Sequence, residues 1–572
     1  MPSDAPPSPP PRRPRFDRRR RRSTDESIKE TIDSVVIAFI LTFVFRAFVM
    51  EAFVIPTGSM APTLLGQHVG LTCPQCGHRF DADASGRTQL RTDVAAPCPL
   101  CFYRVPAPRG TATRAGDRLL VQKYLYAFAE PRRFDVVVFR NPQAVNPEDQ
   151  SPGPTTNYIK RLVGLPHEEL TLFEGNVYVR PPAEPGQNAA AWRIARKTDP
   201  RANPRWRQIQ DALWQPVFRS VRRPADGGVA DVDGRVVRDR PWRDPFLTRD
   251  PAGWSAGPAG SYRFDPDAAG AGADARGSAA PAPLRFDWGG YPDRGVYHPY
   301  NVTIAGAGLA FRQPILDVRL AVTLAADGPG VGVTLRTHAP TRADRATAQP
   351  VSLTYAANGE LTLDVAGRRQ TARSSPVRPG RPVRLELWYV DAEALALVDG
   401  RVRLRIPVRR DLDRAKQQAA PPDRPEISLH VRGGPARLLD VQVDRDLYYT
   451  PSLESTGEYA PVGTVWRDFR DDLRETPPLR LPADRFYVLG DNGPISNDAR
   501  FWDSVEPWTR RRLGPDGADA PLNEHEEPQS LHHVPRDLLM GRAFFVYWPA
   551  PYAFGGDGQQ VVPNIADMRL IY

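Results

Sequence analysis

The sequence predicts a mainly β protein that carries one apolar helix near its N-terminus. Proline makes up 62 of the 572 residues, about twice the usual share of ~5%; it fixes φ and removes a backbone donor, which favours loops and strands over long helices. From residue 300 onward, apolar and polar residues alternate with a period of two, the mark of half-buried strands. A single apolar run, Val35 to Phe45 (VVIAFILTFVF), stands behind a basic tail.

Length and composition bound the rest. The length exceeds what one compact core holds and predicts about three or four domains. Hydrophobic residues at 41% and charged residues at 25% exclude a wholly disordered chain and a polytopic membrane protein. The formal charge of +9 is uneven: residues 1–22 hold eight arginines against Asp4 and Asp17, a net +6. The remainder carries only +3, so the charge gives no ground for a nucleic-acid partner.

Residues 1–27 read as a disordered basic tail, because proline and arginine leave almost nothing to bury. Residues 28–55 read as a transmembrane signal anchor. The run Val35–Phe45 alone spans only about 17 Å, and extension to Ile55, across Arg46 and Glu51, gives about 31 Å. A buried soluble helix and a cleaved signal peptide are the alternatives, but no small-x-small cleavage pair directly follows the apolar core. Eight arginines ahead of it hold that end in the cytoplasm by the positive-inside rule. The expected location is therefore the cytoplasmic membrane, single-pass, with the bulk of the chain on the outer side and membrane lipid as a partner.

Directly after the anchor, Ser59 sits between glycine and methionine on a bend fixed by Pro56 and Pro62. Further on, Gly116-Asp117-Arg118-Leu119-Leu120-Val121 reads as a turn into a strand, and Phe134–Arg140 (FDVVVFR) as a buried strand. Lys160 stands in the strand-like run Asn157–Pro166 and is one of only five lysines among 76 basic residues. Arginine cannot shed its proton in a protein and lysine can. Near the C-terminus, Gly490-Asp491-Asn492 leads into Ser496-Asn497-Asp498-Ala499-Arg500.

In this order, and with the closing stretch Val534–Pro549, these blocks resemble bacterial type I signal peptidases, membrane-anchored serine proteases that remove signal peptides. The resemblance covers residues 28–180 and 460–572. It implies an all-β catalytic domain in two parts, 56–180 and 461–572, with preprotein signal peptides as substrate and no cofactor for catalysis. Residue by residue it implies Ser59 as nucleophile, Lys160 as general base, and Thr57 as an oxyanion donor beside the Ser59 N–H. Ser496 would orient the lysine, and Asp498 with Arg500 would form a structural ion pair. Phe53, Ile55, Pro56, Met60, Leu64, Tyr158 and Ile159 would form the shallow apolar substrate pocket. A lysine starts from a pKa near 10.4, and burial among apolar groups favours its neutral form. Gly493-Pro494-Ile495 and Ala499 depart from the family pattern and leave that loop's hydrogen bonding open.

Two Cys-x-x-Cys pairs, Cys73/Cys76 and Cys98/Cys101, are separated by 21 residues. This spacing predicts a zinc-ribbon-like insert over 71–105, with a structural zinc on all four thiolates. Two disulfides are the alternative, since the segment would lie outside the cytoplasm. Residues 181–460 have no place in the peptidase pattern. Alternating runs at Leu316–Leu324, Val331–Leu335, Leu361–Val365, Val383–Leu387, Val402–Val408, Ile427–Val431 and Leu439–Val443, with hairpin signals at Asn358-Gly359 and Asp399-Gly400, predict a β-sandwich clearest at 300–450. It resembles concanavalin-like jelly rolls, which implies a carbohydrate or protein ligand. The rivals to the peptidase reading are a surface-binding protein working through the sandwich, and a self-processing Ser/Lys protease.

Overall fold

The computed structural model describes residues 24–85, 94–100, 103–107, 109–142, 156–182, 186–220, 244–247, 251–268, 282–287, 296–297, 313–314, 317–339, 349–417, 425–449, 478–493, 496–500, 502, 532–554 and 560–572. Cys101, Leu316 and the tail 1–23 lie outside them. The chain divides into two compact units, Met1–Glu51 and Ala52–Tyr572.

The first unit is dominated by a helix, Thr24–Val44, that runs on through a π-turn at Phe45–Val49. Its apolar side chains, among them Phe39, Leu41, Phe43 and Phe48, are exposed all round. Residues Lys29–Val49 are long and apolar enough to cross a membrane. The helical run stops short of Ile55: Met50–Val54 is a strand. A strand extends its chain and lets alternate side chains reach one core, so Phe53 and Ile55 pack with Leu119, Val121, Val136 and Val138.

In the second unit, distant parts of the chain interleave in one eight-stranded sheet. Its order is Met50–Val54, Arg118–Gln122, Leu539–Trp548, Val136–Arg140, Asn157–Gly164, Arg485–Leu489 and Val534–Pro535, with Arg569–Leu570 also on Leu539–Trp548. The late strand Leu539–Trp548 lies between two early ones, and Arg485–Leu489 pairs with Asn157–Gly164. A smaller sheet, Arg193–Ile194, Asn176–Arg180, Glu168–Phe173 and Leu479–Leu481, joins early and late segments in the same way. The intervening three hundred or so residues are therefore spliced between strands that meet.

Strands within that intervening stretch build two further sheets, of eight and six strands. Their facing side chains form one apolar cluster. Val318, Leu320, Val322 and Leu324 of one sheet and Leu361, Leu363 and Val365 of the other enter it, each at most 2% exposed. The sandwich starts earlier than the alternating pattern: Gln215–Arg219, Trp254–Ala256 and Tyr262–Phe264 belong to the eight-stranded sheet. Where the segment after Ile194 meets the sandwich, the buried Lys197 ammonium lies 2.5 Å from Asp391 and 2.8 Å from Asp446.

Four two-stranded sheets also occur among the described residues, two of them hairpins near the N-terminal part of this unit. His68–Thr72 pairs with Arg79–Asp83, and Val94–Pro97 with Arg104–Ala107. Cys73 and Cys76 sit at the tip of the first and Cys98 at the tip of the second, all in one small core.

Candidate active site

Ser59 lies in a tight turn, Gly58–Met60, that follows extended backbone at Thr57. The turn is pressed from both sides. A Cβ on Gly66 would come within 2.2 Å of the Thr57 backbone, and one on Gly490 within 2.6 Å of the Ser59 carbonyl oxygen. Glycine is required at both places by this approach. Lys160 stands mid-strand opposite Val137, with its amine 5.2 Å from the Tyr158 ring centre. Ser59 and Lys160 are 8% and 5% exposed, and Lys160 Nζ is 2.8 Å from Ser59 Oγ. Residues 101 positions apart thus share a buried hydrogen bond.

Gly490–Gly493 lies against the serine turn, and Ser496–Arg500 lies against Gly490–Gly493. Asn492 donates its backbone N–H to the Ser59 carbonyl at 3.0 Å and its side-chain amide to the Gly58 carbonyl at 3.1 Å. Asp498 and Arg500 form a fully buried pair with two contacts of 2.7 Å. Asp498 also accepts from the Gly490 N–H at 2.9 Å, and Arg500 donates to the Gly493 carbonyl at 2.7 Å. Ser496 is buried, and its Oγ has no hydrogen-bond partner among the described residues. It packs against Gly490, where an added Cβ would meet Ser496 Oγ at 2.1 Å. Thr57 is half-buried two residues before the serine.

Of the expected pocket residues, Phe53, Ile55, Met60, Leu64 and Ile159 share one apolar cluster. Met60 and Leu64 are completely buried and form its floor, whereas Phe53 and Ile159 are partly open. Tyr158 points to the other side of its strand, edge-on to Phe139. Pro56 is exposed on the bend.

Several residues that hold the site carry no assignment from the sequence. Arg161, next to Lys160, is completely buried and makes two 2.7 Å contacts to Asp491. It also donates to the Phe134 carbonyl and to the main-chain oxygen of Tyr572. Thr63, four residues after the serine, donates to the same Asp491 at 2.5 Å. Asp117 accepts from the N–H groups of Leu65 and Ala550 and from Arg569. A second charged residue, beside Lys160 in the otherwise apolar run Tyr158–Val163, is the available signal for Arg161.

The sulfurs of Cys73, Cys76 and Cys98, all buried, lie within 4.8 Å of one another. Cys76 and Cys98 are 3.6 Å apart. Two thiolates on adjacent corners of a zinc tetrahedron stand ~3.8 Å apart, so these residues fit that metal. A second acidic group, Asp317, Asp391 and Asp446, gathers around Lys197. Burial, reinforced by Asp391 and Asp446, pushes Asp317 up to about 7. With the Lys197 ammonium already among its oxygens, this group is a buried ion network.

A serine hydroxyl and a buried lysine amine in contact on a β scaffold are the groups that a lysine-assisted serine peptidase requires. Residues 104–212 match the family model of signal peptidase, peptidase S26. That stretch includes Lys160 but neither Ser59 nor the Gly490–Arg500 loop. A signal peptidase I of Leptolyngbya laminosa is 27% identical over 155 residues, covering 27% of this chain and 51% of that protein. A signal peptidase I of Rickettsia typhi is 26% identical over 156 residues, 27% of this chain and 45% of that one. The chain is similar over these residues to bacterial type I signal peptidases, and it spans about half the length of those it matches. A family 7 alginate lyase covers 35% of the chain at 14% identity with a TM-score of 0.23, a likeness too slight to carry an argument.

Proposed function

We propose that the chain is a membrane-anchored serine endopeptidase that removes N-terminal signal peptides from exported preproteins. The observation that carries this reading is the 2.8 Å contact between Lys160 Nζ and Ser59 Oγ in a buried site. Lys160, as the neutral amine, takes the proton of Ser59 while Oγ attacks the scissile carbonyl. The Ser59 N–H and the Thr57 hydroxyl hold the developing oxyanion. The proton passes to the leaving amine, and Lys160 then activates the water that hydrolyses the acyl-enzyme. The apolar surface at Phe53 and Ile159 takes small side chains of the substrate. The Asp498–Arg500 pair steadies the loop that carries Asn492, and Ser496 is the residue assigned to orient the lysine. The test is incubation of the detergent-solubilised protein with a preprotein, wild type beside Ser59→Ala.

The helix Thr24–Val44 and its continuation anchor the enzyme in the cytoplasmic membrane, with the arginine tail inside and the catalytic domain, 56–180 with 461–572, outside. Removing residues 1–49 is expected to lower activity on membrane-embedded preproteins far more than on short soluble peptides. Equal losses on both substrates would show that the helix supports folding and not positioning.

The thiolates of Cys73, Cys76, Cys98 and Cys101 hold a purely structural zinc as a zinc ribbon. About one zinc per purified chain is expected, lost with unfolding of the hairpins in Cys98→Ser. Metal analysis that finds none, with no titratable thiol after denaturation, would assign disulfides instead. The inserted sandwich is a jelly-roll-type recognition module for a carbohydrate or a protein.

A further inference from the structure

We infer that Asn492 is the positioning residue that aims the oxyanion-stabilising N–H of Ser59; the inference rests on the serine-peptidase reading above. In a trans peptide the C=O of one residue and the N–H of the next lie antiparallel in one plane. The Gly58 carbonyl and the Ser59 N–H form one such plane, so fixing the Gly58 oxygen fixes the direction of the Ser59 N–H. The Asn492 amide donates to that oxygen at 3.1 Å. The following plane, Ser59 C=O with Met60 N–H, is held by the Asn492 backbone N–H at 3.0 Å. One residue therefore pins both peptide planes that flank the nucleophile's Cα.

Asn492 has the rigidity that such a role demands. It is completely buried. Its two predecessors are tied down independently, Gly490 through its N–H to Asp498 and Asp491 through its ion pair with Arg161. The Gly58 oxygen also accepts from the Ala61 N–H at 3.1 Å, so the turn would close without Asn492. What Asn492 adds is the orientation of the donor, which matters only where negative charge develops. Its effect belongs in the chemical step and not in substrate binding.

The experiment uses the full-length, detergent-solubilised protein with a short peptide substrate, comparing wild type, Asn492→Asp and Ser59→Ala. An ionised aspartate has the same shape but accepts only, so it repels the Gly58 oxygen. For Asn492→Asp we expect kcat to fall ~10–100-fold, short of the 10²–10³ of a deleted oxyanion donor, with KM within twofold. A peptide boronic acid, whose tetrahedral serine adduct places an oxygen in the oxyanion site, should lose affinity by the same factor, while the product peptide binds unchanged. Unchanged kcat overturns the proposal, as does a loss shared equally between kcat, KM and product binding, which marks a merely structural role. If Asn492→Asp does not fold, Asn492→Ala undergoes the same measurements. Cleavage surviving in Ser59→Ala would instead sink the serine reading itself.

Discussion

Lys160→Arg is expected to cut preprotein cleavage by at least ~10³-fold, within the range that a positioned general base contributes, while the protein stays folded. Arginine keeps the charge and much of the length of lysine, but its guanidinium cannot give up a proton to become a base. A surface lysine would tolerate that exchange. Lys160 is 5% exposed and 2.8 Å from Ser59 Oγ, so the exchange leaves the serine hydroxyl facing a permanent cation. Ser59→Ala should be at least as severe, because it removes the attacking oxygen itself. Lys160→Met, close in length and uncharged, separates loss of the base from strain due to the larger guanidinium. Circular dichroism and a thermal midpoint near wild type establish that each variant is folded. Activity above a tenth of wild type (~1.4 kcal/mol of barrier) in Lys160→Arg would remove the dyad.

How far the sequence reveals this architecture depends on whether a residue's surroundings are local. Asp399-Gly400 is legible as a hairpin because its turn needs positive φ at both positions, and the two residues have φ of 46° and 72°. The strand Val383–Val390 is legible from its alternating apolar residues. Its neighbour Glu393–Val398 (EALALV) is not, since glutamate, alanine and leucine are good helix formers. It is a strand because tertiary burial on both faces overrides propensity: Ala394 and Ala396 face the sandwich core, while Leu395 and Leu397 meet Trp214 and Trp388. Arg368–Arg373 (RRQTAR) hides for the opposite reason. It is a sheet-edge strand with little to bury and so has no hydrophobic period. At the site, Ser59 and Lys160 stand out as residue types that carry chemistry. Gly66 and Gly490 do not, because the backbone each must admit comes from elsewhere in the chain.

Asp491→Ala is expected to destabilise the protein by ~3–5 kcal/mol, the range for breaking a buried ion pair from one side. Arg161 and Asp491 are both completely buried and joined by two contacts of 2.7 Å. Removing the carboxylate leaves a buried guanidinium whose remaining acceptors among the described residues are the Phe134 carbonyl, the main-chain oxygen of Tyr572 and, at 3.5 Å, the Thr63 hydroxyl. Thr63 loses its acceptor at the same time. Asp491→Asn keeps the shape and one acceptor oxygen, so its cost should be smaller, ~1–3 kcal/mol. The penalty belongs to the orphaned charge more than to the lost attraction, so Arg161→Leu combined with Asp491→Leu should recover much of the stability. Urea denaturation of the four proteins measures this directly. A midpoint for Asp491→Ala equivalent to less than ~1 kcal/mol of loss would mean that water reaches Arg161. Activity should not recover with stability in the double variant. Arg161 adjoins the lysine, Asp491 adjoins Asn492, and Thr63 lies in the segment leaving the serine turn, so the polar cluster ties all three parts of the site together. Two leucines can fill its volume, but they cannot hold the Thr63 hydroxyl or fix the spacing between the strand that carries the lysine and the turn that carries the serine.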